Sequence, residues 1–294
     1  MKRLVYRADD IGYTLAFDLG AFKGMDEGII TSADVMLDSP HTEEALLWLK
    51  KRPWISVGWH RHLWESPVTP AEKIPHMVNE QGRFIWGHRH QELMKQVPYE
   101  EAYTEFRAEV ERCIAVLGKA PDTASVRLNG SELEDAFRDI CDEYGIIYGY
   151  YYADFMGRKM EPKEEYRHLN YRHSTPFPEG ITGRDLYDLS FFPKYNPEEL
   201  IMNIRWDDEN VIYQTGGHPG YLDDHILAES ACTIHRPKEL LAVLSEKVKQ
   251  WIIDNHVVLI NQRDVIYGTN EYQKHLKAIN SPLWAGNFKE DVKL

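Results

Sequence analysis

Cysteine is scarce: Cys113, Cys141 and Cys232 are the only three, and no two of them form a CxxC pair. That excludes a disulfide framework and a thiolate zinc site, and it reads as reduced thiols in a cytoplasmic protein. Long apolar runs are missing as well, and no stretch approaches the roughly 20 residues a membrane-crossing helix needs. The basic opening Met1-Lys2-Arg3 is interrupted by Arg7, Asp9 and Asp10 before any signal core develops. Positive charge is in short supply too: 34 Lys and Arg stand against 47 Asp and Glu, a formal net charge of -13. Such a surface repels phosphate backbones and anionic lipid, so neither nucleic acid nor membrane is an expected partner. Repeats, low-complexity tracts and flexible linkers are absent, which makes one domain over 1–294 the simplest organisation.

Strands and helices alternate along what is present. Leu4 to Ala8 reads as a strand ending in Asp9-Asp10-Ile11-Gly12. Thr14 is suited to cap a helix from Leu15 to Glu27 that stops at Gly28. Ile29 to Leu37 offers a strand, Thr42 to Lys51 a helix, and Ile55 to His60 a third strand. Tyr103, Phe106, Val110, Cys113, Ile114 and Leu117 fall on one helical face ending at Gly118. Thr123–Leu128, Ile146–Tyr150, Val211–Thr215 and Val257–Ile260 supply further strands. Helices are expected over Ser131–Tyr144, from Pro197 to about Trp206, and as one amphipathic element spanning Leu240 to Ile252. The residues after Gly268 read as a tail packed on the surface or on a partner. Residues 61–97 and 151–195 read as long irregular insertions, suited to an interface or a substrate lid. About seven strands alternating with helices predict an α/β fold, a (β/α) barrel-like TIM-type sheet that is irregular or seven-stranded; a doubly wound open sheet has the same rhythm. In both, ligands bind at the C-terminal ends of the strands.

Three strand ends carry titratable groups: Asp9-Asp10, His60 and His218. Parallel strands put all three on one rim. A carboxylate beside an imidazole suits a divalent metal, which polarises a carbonyl and acidifies a water, leaving Asp9 as base and His218 as acid. Each residue also has an ordinary reading. Asp-Asp-x-Gly is a good turn, His60 can be a hydrogen-bonded strand end, and His218 can open a turn before Pro219-Gly220. His62, His88 and His90 read as polar loop residues, and Arg236-Pro237 as a helix opening. The convergence of three strand ends favours chemistry. Aromatics at 12%, with 8 Trp and 17 Tyr, are enough to supply a stacking platform for a sugar ring besides the core.

Arg7-Ala8-Asp9-Asp10-Ile11-Gly12, Gly28-Ile29-Ile30-Thr31-Ser32-Ala33, Val57-Gly58-Trp59-His60, Gly82-Arg83-Phe84, Gly217-His218-Pro219-Gly220-Tyr221 and Arg236-Pro237-Lys238-Glu239-Leu240 follow in an order that resembles the YdjC-like carbohydrate deacetylases, which include chitooligosaccharide and hopanoid-pathway deacetylases. The resemblance runs from about residue 3 to 265. It implies a barrel-like fold, often a homodimer, that removes N-acetyl groups from a sugar or oligosaccharide with a divalent metal, Mg or Zn. By the same resemblance Asp9 is the catalytic base, Asp10 and His60 are metal ligands, and His218 belongs to the reacting centre. Arg127 and Arg236 are the candidate substrate-binding cations. The family's histidine-rich stretch, which supplies a third ligand, corresponds here to Ser125-Val126-Arg127-Leu128-Asn129-Gly130-Ser131, without a histidine. Arginine cannot coordinate a metal. Two expectations follow: His62, His88 or His90 replaces the ligand, or the barrel is a metal-independent or catalytically degenerate carbohydrate binder anchored by Arg127.

Overall fold

A computed structural model describes residues 1–85, 91–125, 131–155, 158–174, 185, 188–206, 208 and 210–288. Arg127, His88 and His90 lie outside the described residues.

The strands are β1 (Arg3–Ile11), β2 (Ser32–Val35), β3 (Ser56–Trp59), β4 (Thr123–Ala124), β5 (Tyr152–Phe155), β6 (Arg158–Met160), β7 (Tyr171–His173), β8 (Ile212–Gly217) and β9 (Val258–Leu259). The α-helices are α1 (Leu15–Glu27), α2 (Thr42–Lys50), α3 (Gln91–Met94), α4 (Tyr99–Leu117), α5 (Glu132–Tyr144), α6 (Pro197–Met202), α7 (Asp224–Glu229), α8 (His235–Leu244), α9 (Glu246–Asp254), α10 (Gln262–Tyr267) and α11 (Glu271–Ala278). The strands form one curled sheet in the order β4-β3-β2-β1-β8-β7-β5-β6, with β9 also pairing β1. Every pairing is parallel except β5 with β6. The result is a half-barrel flanked by helices, as the strand–helix rhythm predicts. None of the helices is long and apolar enough to cross a membrane, among the described residues.

The centre is β1. Leu4, Val5, Tyr6 and Ala8 are all buried, the continuous run expected of a parallel strand covered on both faces. The early half of β1 pairs with β9 through Arg3 and Leu4, and its later half with β2 through Arg7 and Ala8. On its other edge it pairs with β8 along Arg3 to Ala8. Helix α1 begins where Thr14 accepts from the Phe17 amide, and its buried face of Phe17, Ala21, Phe22 and Met25 packs on the sheet. Helices α4 and α5 pack together over Trp59, whose ring meets Phe137 at 4.4 Å and Phe106 at 5.8 Å.

Inside the curl, the fully buried Gln262 joins strands that do not pair with one another. Its amide donates to Ser32 Oγ at 3.2 Å and its Nε2 to Gln214 Oε1 at 3.0 Å and Tyr150 OH at 2.9 Å. Its Oε1 accepts from Thr123 Oγ1 at 3.1 Å. Tyr171 OH donates to the same Gln214 oxygen at 2.5 Å.

Several expectations need correction. The strand expected over Ile146–Tyr150 is reduced to a single bridge between Thr123 and Ile147. Residues 151–195, expected to be an irregular insertion, instead supply β5, β6 and β7 to the sheet. The amphipathic helix from Leu240 to Ile252 breaks at Ser245, whose side chain accepts from the Val248 amide and starts α9. Residues 269–288 are more than a tail packed on the surface or on a partner: Tyr272, Leu276, Leu283, Ala285 and Phe288 are buried in the core.

Candidate functional site

Because β1, β2, β3 and β8 run parallel, their C-terminal ends share one rim. Asp9 and Asp10 end β1, His60 follows β3, and His218 follows β8. The His60 amide donates to the Val35 carbonyl at 2.8 Å, which extends the β2–β3 pairing to the histidine itself. Glycines allow the close approaches. A Cβ at Gly58 would stand 2.1 Å from Asp34 Oδ1, and one at Gly220 would stand 2.0 Å from the Phe17 ring.

The two neighbouring aspartates separate at a strained residue. Asp10 has φ +63°, a left-handed conformation uncommon without glycine, and strain of this kind gathers at functional sites. Asp9 turns towards Arg7, which donates from Nε at 2.7 Å and from NH2 at 3.1 Å, a bidentate grip. Arg7 NH1 also stands 3.2 Å from Asp34 Oδ2. Burial pushes the Asp9 carboxyl up, but Arg7, His60 and His218 outweigh it and hold the group below its ordinary range. Asp9 is therefore an anion at neutral pH.

Asp10 faces the other way. Its Oδ2 accepts from Arg236 NH2 at 2.8 Å and lies 3.9 Å from His218 Nε2. Its Oδ1 lies 3.0 Å from His60 Nε2, without the alignment of a hydrogen bond. That buried oxygen has no hydrogen-bond partner among the described residues. Burial raises Asp10, and the charges of His218, Arg236 and His60 overcome this and hold it well below the carboxylate range. Burial lowers His218, while the Asp10 carboxylate and Cys232 raise it further, to about 10. His60 moves up as well: burial opposes its charge, and Asp10, Asp9 and Asp34 favour it.

His62 completes the arrangement. Its ring centroid is 5.5 Å from that of His60, and one ligand atom each from Asp10, His60 and His62 fall within 4.8 Å of one another. The His62 ring stacks on Trp64 at 4.7 Å, and Trp64 meets Tyr13 at 5.3 Å. Carbon-rich rings therefore lie beside the polar cluster.

Arg236 is only 1% exposed. Its Nε donates to the Cys232 carbonyl at 2.7 Å, and its guanidinium carbon lies 4.9 Å from the Phe17 ring centroid and 5.5 Å from that of Tyr13. In this position its charge acts first on Asp10. Behind His218, the Glu239 carboxylate accepts the His218 backbone amide and the Tyr195 hydroxyl, the latter at 2.7 Å.

Of the residues expected at the site, Asp9, Asp10, His60, His218 and Arg236 come together. Sequence reasoning missed Arg7 as the partner of Asp9. The available signal was its spacing: on a strand, residues two apart share a face. It also missed Cys232 beside His218, which lies 14 positions downstream and has no local signature.

Similarity to known proteins points the same way. Residues 3–254 match the model of the YdjC-like protein family. A protein of Listeria innocua named carbohydrate deacetylase 2 is 28% identical over 278 residues, covering 90% of this chain and 98% of its own length. The chitooligosaccharide deacetylase of Proteus mirabilis is 24% identical over 270 residues, covering 90% and 98%. Among solved structures, a putative cellobiose-phosphate cleavage protein of Enterococcus faecalis superposes with a TM-score of 0.63 at 21% identity, over 88% of this chain and 97% of its own; this likeness concerns the fold. With the family model matched along most of its length, this chain belongs to the YdjC-like protein family.

Proposed function

We propose that the chain is a metal-dependent carbohydrate deacetylase, a hydrolase that cleaves the N-acetyl group of an amino sugar or short oligosaccharide. The observation that carries the reading is the convergence of Asp10, His60 and His62 within 4.8 Å, with Asp9 and His218 on the same rim. The residues present fit a divalent cation. Asp10 Oδ1 is buried and lacks a hydrogen-bond partner among the described residues, as an oxygen reserved for a cation would. One carboxylate with two imidazoles is a borderline donor set, which favours zinc or a similar first-row ion over magnesium.

When bound, such an ion polarises the acetyl carbonyl and eases deprotonation of water. The chain's own groups handle the protons. Asp9, kept anionic by Arg7, accepts one proton from the attacking water as its oxygen bonds to the acetyl carbon. His218 gives a proton from Nε2 to the sugar nitrogen as the C–N bond breaks. The products are acetate and the free amine. Arg236 keeps Asp10 charged and oriented, and the partly exposed ring of Trp64, backed by the buried Tyr13, offers an apolar face to the sugar.

The rival expectation, a degenerate carbohydrate binder, rested on there being only two ligands. His62 beside Asp10 and His60 supports a third ligand and weighs against that rival. The test is acetate release from acetylated chitooligosaccharides by purified protein, with zinc, with magnesium and with chelator. Release that needs a divalent metal supports the reading, and no release with any metal defeats it.

A further inference from the structure

We propose that Cys232 is a positioning residue for His218, holding its ring so that Nε2 is the nitrogen that delivers the proton. This rests on the deacetylase reading above and adds a residue to it. Cys232 lies between α7 and α8, is buried, and places Sγ 3.9 Å from His218 Nδ1, within reach for the large sulfur atom. Glu239 Oε2 is 4.0 Å from the same nitrogen, too far for an oxygen to bond. Glu239 is moreover engaged by the His218 backbone amide and by Tyr195 OH. Sulfur is thus the atom on the inner side of the ring that can accept from Nδ1–H, as a weak acceptor.

With sulfur as the acceptor, the tautomer follows. A proton kept on Nδ1, in the charged ring and in the neutral one, makes Nε2 the nitrogen that gains and loses the other proton. Nε2 is the atom that faces Asp10, at 3.9 Å from Oδ2. Carboxylates and carbonyls commonly fix a working histidine in this manner, and here a thiol does it.

The rest of the same short loop ties the sulfur to the cluster. The Cys232 amide donates to Ser230 Oγ at 3.2 Å, and Ser230 Oγ lies 3.4 Å from Arg236 NH2. The Cys232 carbonyl accepts Arg236 Nε. One residue therefore braces the acid through its side chain and the counter-ion of Asp10 through its backbone. Only the first of these contacts is removed by a side-chain substitution.

The experiment compares wild type, Cys232→Ala and Cys232→Ser as full-length, zinc-loaded proteins on two substrates. An N-acetylated chitooligosaccharide has an amine leaving group that needs a proton. 4-Nitrophenyl acetate has a phenolate that leaves without one. Cys232→Ala is expected to lower kcat on the amide roughly tenfold with KM within about twofold, while the ester rate stays within about twofold. Cys232→Ser, whose hydroxyl also accepts from Nδ1–H, should recover most of the amide rate. An unchanged amide rate in the alanine variant, an equal loss on both substrates, or a serine variant no better than alanine overturns the role of Cys232 and leaves the deacetylase reading standing. Wild-type protein that releases no acetate from the amide overturns that reading itself, and the inference falls with it.

Discussion

Two groups of buried carboxylates flank the stretch from Trp59 to Thr69, and their acidities are pushed in opposite directions. On one side, Asp9 and Asp10 are matched by Arg7, Arg236, His60 and His218, and both are held below the ordinary carboxylate range against their burial. On the other, Asp38, Glu105 and Glu109 make no ion pair among the described residues. Burial pushes Asp38 up to about 6, with Glu105 adding to it, and it pushes Glu109 well above its usual value with help from Asp38 and Glu105. These three acids accept hydrogen bonds: Asp38 from the Trp64 amide at 3.1 Å, Glu109 from Trp59 Nε1 at 2.9 Å, and Glu105 from the amides of Val68 and Thr69 at 2.8 Å each. They fasten the segment that carries His60 and His62. Burial alone therefore does not make a working acid or base. The counter-ions decide which cluster is held ionised beside the candidate site and which one fastens the segment behind it.

The contrast can be broken by substitution, and the largest effect belongs to the ionised side. Asp9→Asn keeps the shape and removes the base, and it should lower kcat for acetate release by roughly a thousandfold with bound metal unchanged. A loss of less than about tenfold would move the base elsewhere. Next, His62→Ala should weaken zinc binding by about a hundredfold, read by titration calorimetry, or by the visible spectrum of the cobalt-loaded protein. Unaltered affinity would show that His62 is no ligand. Arg236→Met strands Asp10 without its buried partner. A loss on the order of 3–5 kcal/mol in urea unfolding is expected, whereas a rim cation would cost less than about 1 kcal/mol.

The smallest effect lies on the uncompensated side. Asp38 binds its proton more tightly folded than unfolded, so the stability it contributes is fully present below about 4 and is lost as pH rises towards about 6. Asp38→Asn keeps an acceptor for the Trp64 amide and removes that dependence. The melting temperature of the variant minus that of wild type should climb by a few degrees between those two pH values and then level off. A difference that is flat or falling over the window would mean that Asp38 is not held neutral.

Much of the framework was visible in the chain before any coordinates. Thr14 and Gly28 bracket α1, Gly118 ends α4, and the strand ends carrying Asp9, His60 and His218 meet as the parallel rhythm requires. Features that depend on distant partners were not visible. Nothing local says that Asp10 turns left-handed and so parts from Asp9, or that Arg236 reaches across 226 positions to it. The strands β5, β6 and β7 have three or four residues each, too few for alternation to emerge among the Tyr, Phe and Arg around them. Ser245 looked like one polar position on a long helical face because the 3.6-residue pattern continues across it into α9. Its role as a cap depends on backbone angles that the pattern does not encode.

Gln262 has a consequence for the order in which this molecule becomes itself. The strands near residues 32, 123 and 214 have no hydrogen-bonded ladder between all of them, and a single amide arriving from late in the chain ties them together. Contacts of such long sequence separation form slowly. The curl of the sheet is thus fastened across only once the part of the chain around residue 262 is in place.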